Sequence, residues 1–460
     1  MKTALAGVLA FMLCGAATIA YGSSTPAILG LGVMLACLET AVLMRRAGGF
    51  TATVFPVVII NGILIAAVPV WPTVAPLAIV SAQIGVSESD LLGVATLGMA
   101  FTAAYTVGAL LIGPGSARGV SLANLAQLRL PTGMLVLASY AVLGITIVGY
   151  GDSLIEGSYL GGTGPTWAVI LSNTLTPLAV IAVCVAAFRP GKARFFAVAG
   201  VVIWVLVLFG RSSRSLAALP AFLVLGLLMS SERRVRWWQI VIAAAATVFL
   251  LQLPLALRVN DAGVGILPLG ETLLFHPDLV FANFDPSGVF GNILFSAPLA
   301  AVVSRQPIPI DAFWTSINPL PGGTVGWADL NPSLKLDAST PFNAIGELAA
   351  QGWQVLIIFA FVVGLAAAAT ERAAQALPGA LGTLGMLLVM ALLALYSVTV
   401  LQYNLRSSTR ILWYAVFAVI ILHFIGALIV KKNEAPLRYA SRPVTYATPV
   451  ESPSAAAGIR

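Results

Sequence analysis

The chain has 460 residues, of which 59% are hydrophobic and 9% charged, and its mean hydropathy is +0.98. That composition excludes a water-soluble globular domain and implies a polytopic helical membrane protein, because apolar runs of about 18 residues or more recur along it. A closed barrel would read instead as alternating segments of roughly 10 residues, and neither the 3 cysteines nor the net charge of +7 suggests a disulfide framework, a metal site or nucleic acid.

In chain order the predicted spans are 3–21, 24–44, 53–71, 91–112, 133–150, 165–188, 195–210, 215–230, 237–256, 349–369, 379–401 and 411–430. The fold class is therefore an all-α polytopic membrane protein of about 12 transmembrane helices. Residues 1–256 carry helices 1–9, and 257–348 form an extracytoplasmic loop subdomain between helices 9 and 10. Residues 349–430 carry helices 10–12, and 431–460 form a disordered cytoplasmic tail, basic enough to be drawn to an anionic leaflet. Met1–Ala20, with Lys2 ahead of an apolar run, has the look of a signal peptide, but a second span follows almost at once and it is read as a span. Alternating the loops puts most of the 24 Lys and Arg on the side of the termini and most of the 17 acids on the other. Positive charge stays in the cytoplasm, so both termini are placed there.

Segment 72–90 is placed outside, along the interface. The loop 257–348 is too long to be a plain connection, and its Phe and Trp residues supply apolar mass for a lid. Ser287–Val303 is expected to be a helix lying on the membrane surface.

Two short loops, Arg211-Ser-Ser-Arg214 and Arg406-Ser-Ser-Thr-Arg410, join apolar segments on the side where arginine is not expected. Guanidinium forks match phosphate oxygens bidentately, and Ser212, Ser213, Ser407, Ser408 and Thr409 add hydroxyl donors. Two such hairpin tips brought together would hold one diphosphate at headgroup depth. The plainer reading is that they snorkel to ordinary lipid phosphates.

Glu347 lies where the large loop re-enters the membrane, in Pro341-Phe-Asn-Ala-Ile-Gly-Glu-Leu-Ala-Ala-Gln-Gly-Trp353. A carboxylate there can take a proton from a sugar hydroxyl, or fix a helix start. His276, in Phe275-His-Pro-Asp278, is the other candidate base, or merely an exposed loop histidine. His423 falls in the last span and is expected to bond a neighbouring helix. Loop acids such as Asp278, Asp311 and Asp329, interleaved with Trp314 and Trp327, suit sugar recognition. No Asp falls inside a predicted span and the only Glu there is Glu39; polar residues within the spans are otherwise few, Asn61, Asn173 and Thr174 among them. No P-loop, no metal-ligand cluster and no internal repeat is visible.

The span number, the large late loop, the arginines, and Asn318-Pro-Leu-Pro-Gly followed by Pro341–Gly352 resemble the bacterial oligosaccharide repeat-unit polymerases (Wzy-like O-antigen and exopolysaccharide polymerases), and distantly the O-antigen ligases. The resemblance implies a GT-C-like, metal-independent, inverting glycosyl transfer in the bacterial cytoplasmic membrane, with no cofactor and no nucleotide sugar. The donor would be a glycan on undecaprenyl diphosphate, and the acceptor a lipid-linked repeat unit. Arg211, Arg214, Arg406 and Arg410 would bind the diphosphate, and Glu347 or His276 would be the base. Implied partners are undecaprenyl-diphosphate-linked oligosaccharide, membrane lipids, a flippase and a chain-length regulator. The alternatives are a lipid-linked oligosaccharide flippase or exporter, a ligase, or a structural partner in an envelope assembly.

Overall fold

The computed structural model describes residues 25–74, 85–116, 131–156, 163–211, 214–230, 236–258, 265–282, 291–320, 322–334 and 342–434. Its first half holds α1 (Thr25–Ala47), α2 (Val54–Val74), α3 (Glu88–Ile112), α4 (Thr132–Tyr150), α5 (Thr166–Phe188), α6 (Ala193–Gly210), α7 (Leu219–Ser230) and α8 (Trp237–Arg258). Short helices follow: α9 (Ile266–Phe275), α10 (Pro277–Ala282), α11 (Ser296–Val303), α12 (Ile310–Ile317), α13 (Trp327–Leu330) and α14 (Ala344–Ala350). Three long ones close the chain: α15 (Trp353–Gln375), α16 (Gly379–Gln402) and α17 (Leu405–Glu434). No strand occurs among the described residues, and nine helices there, α1–α6 and α15–α17, are long and apolar enough to cross a membrane. This is an all-α, multi-pass membrane protein.

Differences from the expected spans have local causes. The predicted span 3–21 lies outside the described residues. Segment 215–230 divides into a 3-10 turn, Arg214–Ala218, and the 12-residue α7, too short alone for a hydrocarbon core of roughly 30 Å. Ahead of α3 a capping box, with Asp90 N–H on Ser87 Oγ (3.3 Å) and Ser87 N–H on Asp90 Oδ2 (2.9 Å), starts the helix at Glu88 rather than 91. At the other edge of segment 72–90, α2 runs through Pro72 to Val74, and 75–84, the middle of that segment, lie outside the described residues. Because α15 runs on to Gln375, Glu371 joins Glu39 as an acid within a long helix.

Two main apolar cores result among the described residues. The first draws on both ends of the chain, α1–α3 with α11 and α14–α17; the second is built from the middle, α4–α8. They meet where Leu384 and Leu387 of α16 pack on Val185 of α5. The most extensive helix pairing in the first core, α3 with α15, depends on glycine. A side chain at Gly108 would run into Phe361 O, and one at Gly364 into Tyr105 O. Helix α11 does not lie on a surface as expected. Ser296–Ala301 and Val303 are all buried, because a helix of small residues that is apolar all round packs best inside.

Candidate functional site

The segment that enters α17 carries the densest polar cluster around a predicted site residue. Asn404 Oδ1 accepts from Ser407 N–H at 2.9 Å, a cap that starts the helix at Leu405. Arg406–Arg410 is therefore wound into the first turns of α17. It is not a hairpin tip, and the expectation of two equivalent loops fails here.

Once helical, α17 turns Arg406, Thr409 and Trp413 onto one face, against the end of α12. Arg406 donates from Nη1 to Thr315 O and Asn318 O (3.4 Å), and from Nη2 to Leu320 O (2.6 Å). Thr409 Oγ1 donates to Ser316 O at 2.7 Å, and Trp413 Nε1 to Ile317 O at 3.1 Å. The carbonyls from Thr315 to Asn318 are those the end of α12 leaves unpaired, at the negative end of its dipole, and Leu320 O lies in the segment that follows. Carbonyls of the protein itself thus engage both Nη groups of this buried guanidinium, while its Nε is buried without a partner among the described residues. The Trp327 ring lies 5.3 Å from the Arg406 guanidinium. Arg406 is 1% exposed, so a diphosphate could reach its fork only by displacing this segment. Arg410, one turn on, is half-buried and has no hydrogen-bonded partner among the described residues.

Glu347 sits on α14, 2% exposed. Its Oε2 accepts from Leu405 N–H (2.8 Å) and its Oε1 from Ser316 Oγ–H (3.2 Å). Burial raises this carboxyl from its ordinary 4.5 to about 7, opposed by the Leu405 and Ser316 hydrogen bonds. Glu347 therefore joins α14, α12 and α17, and also caps the start of α17. Gly346 makes room: a Cβ there would stand 2.8 Å from Ala300 O of α11. Asn343, to which sequence reasoning assigned no role, caps α14 through Gly346 N–H (2.8 Å). It also donates to Ser296 O (3.0 Å) and Leu401 O (2.5 Å), tying three helices to the site. The signal was in the sequence: Asn three residues ahead of Gly346, at the spacing of a helix cap.

Arg211 belongs to the second core. It closes α6, its N–H bonding Val207 O at 3.1 Å. The half-buried guanidinium stands 4.1 Å from the Tyr150 ring centre, and donates to Tyr150 Oη (2.8 Å) and Asn173 Oδ1. Burial lowers its affinity for the proton and Tyr150 raises it. Ser212, Ser213 and the Arg214 side chain lie outside the described residues. Arg211 and Arg406 share no partner among the described residues, so the single pocket expected from the two loops is not assembled from these contacts. His276 is exposed at the end of α9, a helix that packs on α6, and is not brought to Glu347. His423 bonds Ala373 O of α15 at 2.9 Å, the neighbouring helix expected. Trp314 is exposed, as are Asp278, Asp311 and Asp329.

No family model, curated protein or solved structure matches the chain.

Proposed function

We propose that this protein is a polysaccharide polymerase of the bacterial cytoplasmic membrane, with twelve spans, both termini in the cytoplasm and segment 257–348 on the outer face. It transfers a glycan from undecaprenyl diphosphate to a hydroxyl of a lipid-linked repeat unit, without metal or cofactor. The observation that carries this reading is Glu347: a buried carboxyl, raised to about 7, between α12 and the arginine turn of α17. A carboxylate near neutrality suits a general base for a sugar hydroxyl, which would take the place of Ser316 on Oε1 once the α12 segment is displaced. Trp314, exposed on the flanking segment, offers a face for a pyranose ring. Like charges at Arg406 and Arg410 repel across one turn, and no acid side chain is bonded to either among the described residues. Arg410 is thus the phosphate contact, and Arg406 the residue that holds the roof in place. Arg211 is a second, separate cation for a lipid phosphate.

In cells, Arg410→Ala and Arg211→Ala are each expected to abolish long polymer while single repeat units persist, at normal protein abundance. Long polymer of wild-type length in both variants overturns the reading. A second reading, a lipid-linked oligosaccharide flippase or exporter, draws on one observation: Glu39 and Glu371 are buried within long helices, beside Asn61, Thr102 and Tyr105. An exporter variant would change the transbilayer distribution of the repeat unit and not its polymerisation.

A further inference from the structure

Three glutamates among the described residues are buried in the first core, and two are satisfied. Glu347 is held by Leu405 N–H and Ser316. Glu371 accepts from Ala52 N–H (3.2 Å) and Thr53 N–H (3.3 Å), where a carboxylate from α15 caps the start of α2. Glu39 is different. Its Oε2 accepts from Asn61 Nδ2 at 3.3 Å, while Oε1 is buried without a partner among the described residues.

The Thr102 hydroxyl is within reach of the Glu39 carboxyl as well as of its own backbone. Asn61 Nδ2 also donates to Thr102 Oγ1 (2.9 Å), and Thr102 in turn donates to Met99 O (3.2 Å). Asn61 Oδ1 is buried without a partner as well. The trio therefore has two buried acceptor oxygens without a partner among the described residues, one of them on a carboxyl inside a membrane-spanning helix. No Lys or Arg bonds that carboxyl among the described residues. An unpaired intramembrane carboxylate is costly, and acidic groups at such depth commonly carry protons or ions. With a single acid present, one positive charge balances the site, and the described residues contain no group of three His, Cys, Asp or Glu to hold a metal. We infer that Glu39, Asn61 and Thr102 form an intramembrane binding site for one monovalent cation, a proton or Na+.

The surroundings agree. Among the packed neighbours, α2 brings no titratable side chain, and α3 brings Tyr105, with Glu88 and Asp90 in its first turn; α1 itself adds Cys37, Arg45 and Arg46. Tyr105 and Thr106, one turn beyond Thr102, have buried hydroxyls without partners, and Tyr105 interacts electrostatically with Glu371. A file of polar oxygens thus runs from Glu39 along α3 towards the end of α15.

Infrared difference spectra of the full-length protein in lipid nanodiscs, wild type against Glu39→Gln, test this across the neutral pH range, in NaCl and in choline chloride of equal ionic strength. A proton on Glu39 gives a carboxylic-acid C=O band that Glu39→Gln loses and Na+ leaves unmoved. Bound Na+ gives a carboxylate band that shifts in NaCl only, the shift vanishing in Glu39→Gln. Asn61→Ser, which removes the amide carbonyl, moves the same band and serves if Glu39→Gln does not fold. A carboxylate band indifferent to Na+, with no acid band lost in either variant, overturns the site; that outcome, a carboxylate held by water alone, leaves the polymerase reading untouched.

Discussion

Arg211 and Arg406 stand in nearly the same letters, Arg-Ser-Ser-Arg and Arg-Ser-Ser-Thr-Arg, yet one closes a helix and the other opens one. The difference begins one residue pair upstream. Asn404 caps α17 and winds the second motif into helix, so that Arg406, Thr409 and Trp413 become a stripe. The first motif follows Gly210 at a helix end, and Arg211 reaches sideways to Tyr150 and Asn173. Matching sequence motifs thus need not be matching sites. A cation at a helix start can be absorbed by the carbonyls of a neighbour, whereas one at a helix end stays half open to a ligand.

The largest test of that contrast is Arg406→Ala. It removes the donor from three carbonyls in a buried setting, which costs about 3–5 kcal/mol. The variant is expected to unfold at markedly lower denaturant, and a wild-type midpoint would mean the carbonyls find other donors. Next comes Glu347. Its carboxyl is raised from 4.5 to about 7, so between those values the folded chain holds a proton that the unfolded chain has released. Stability therefore falls as pH rises through that window, by roughly 3 kcal/mol in total. Glu347→Gln flattens the slope in melts at stepped pH. Transfer by a Glu347 base would rise through the upper end of the same window. The smallest effect on folding is Arg211→Ala, about 1–2 kcal/mol because the group is partly exposed. A stability loss as large as that of Arg406→Ala would erase the distinction.

Legibility followed locality. The runs 165–188 and 379–401 appear as helices within a residue or so, because apolar length is written directly in the chain. By contrast, Ser287–Val303 looked like a surface helix, and nothing nearby in sequence reveals that α3 and α14 cover α11. Glu371 went unnoticed because its role is to cap α2, more than 300 residues away. Glu39 was visible as an acid in a span, but that its second oxygen would have no partner among the described residues depends on Asn61 and Thr102 together.

By itself the sequence determined that this is an all-α, multi-pass membrane protein, since hydrocarbon admits only long apolar helices whose backbone polar groups are satisfied within the segment. Only tertiary structure decided which charged groups are answered from within, Arg406 by carbonyls and Glu347 and Glu371 by backbone N–H groups, and which are not. The reason is that a buried polar atom is stabilised or destabilised by partners a few ångströms away in space, and helix packing brings those partners from the opposite end of the chain.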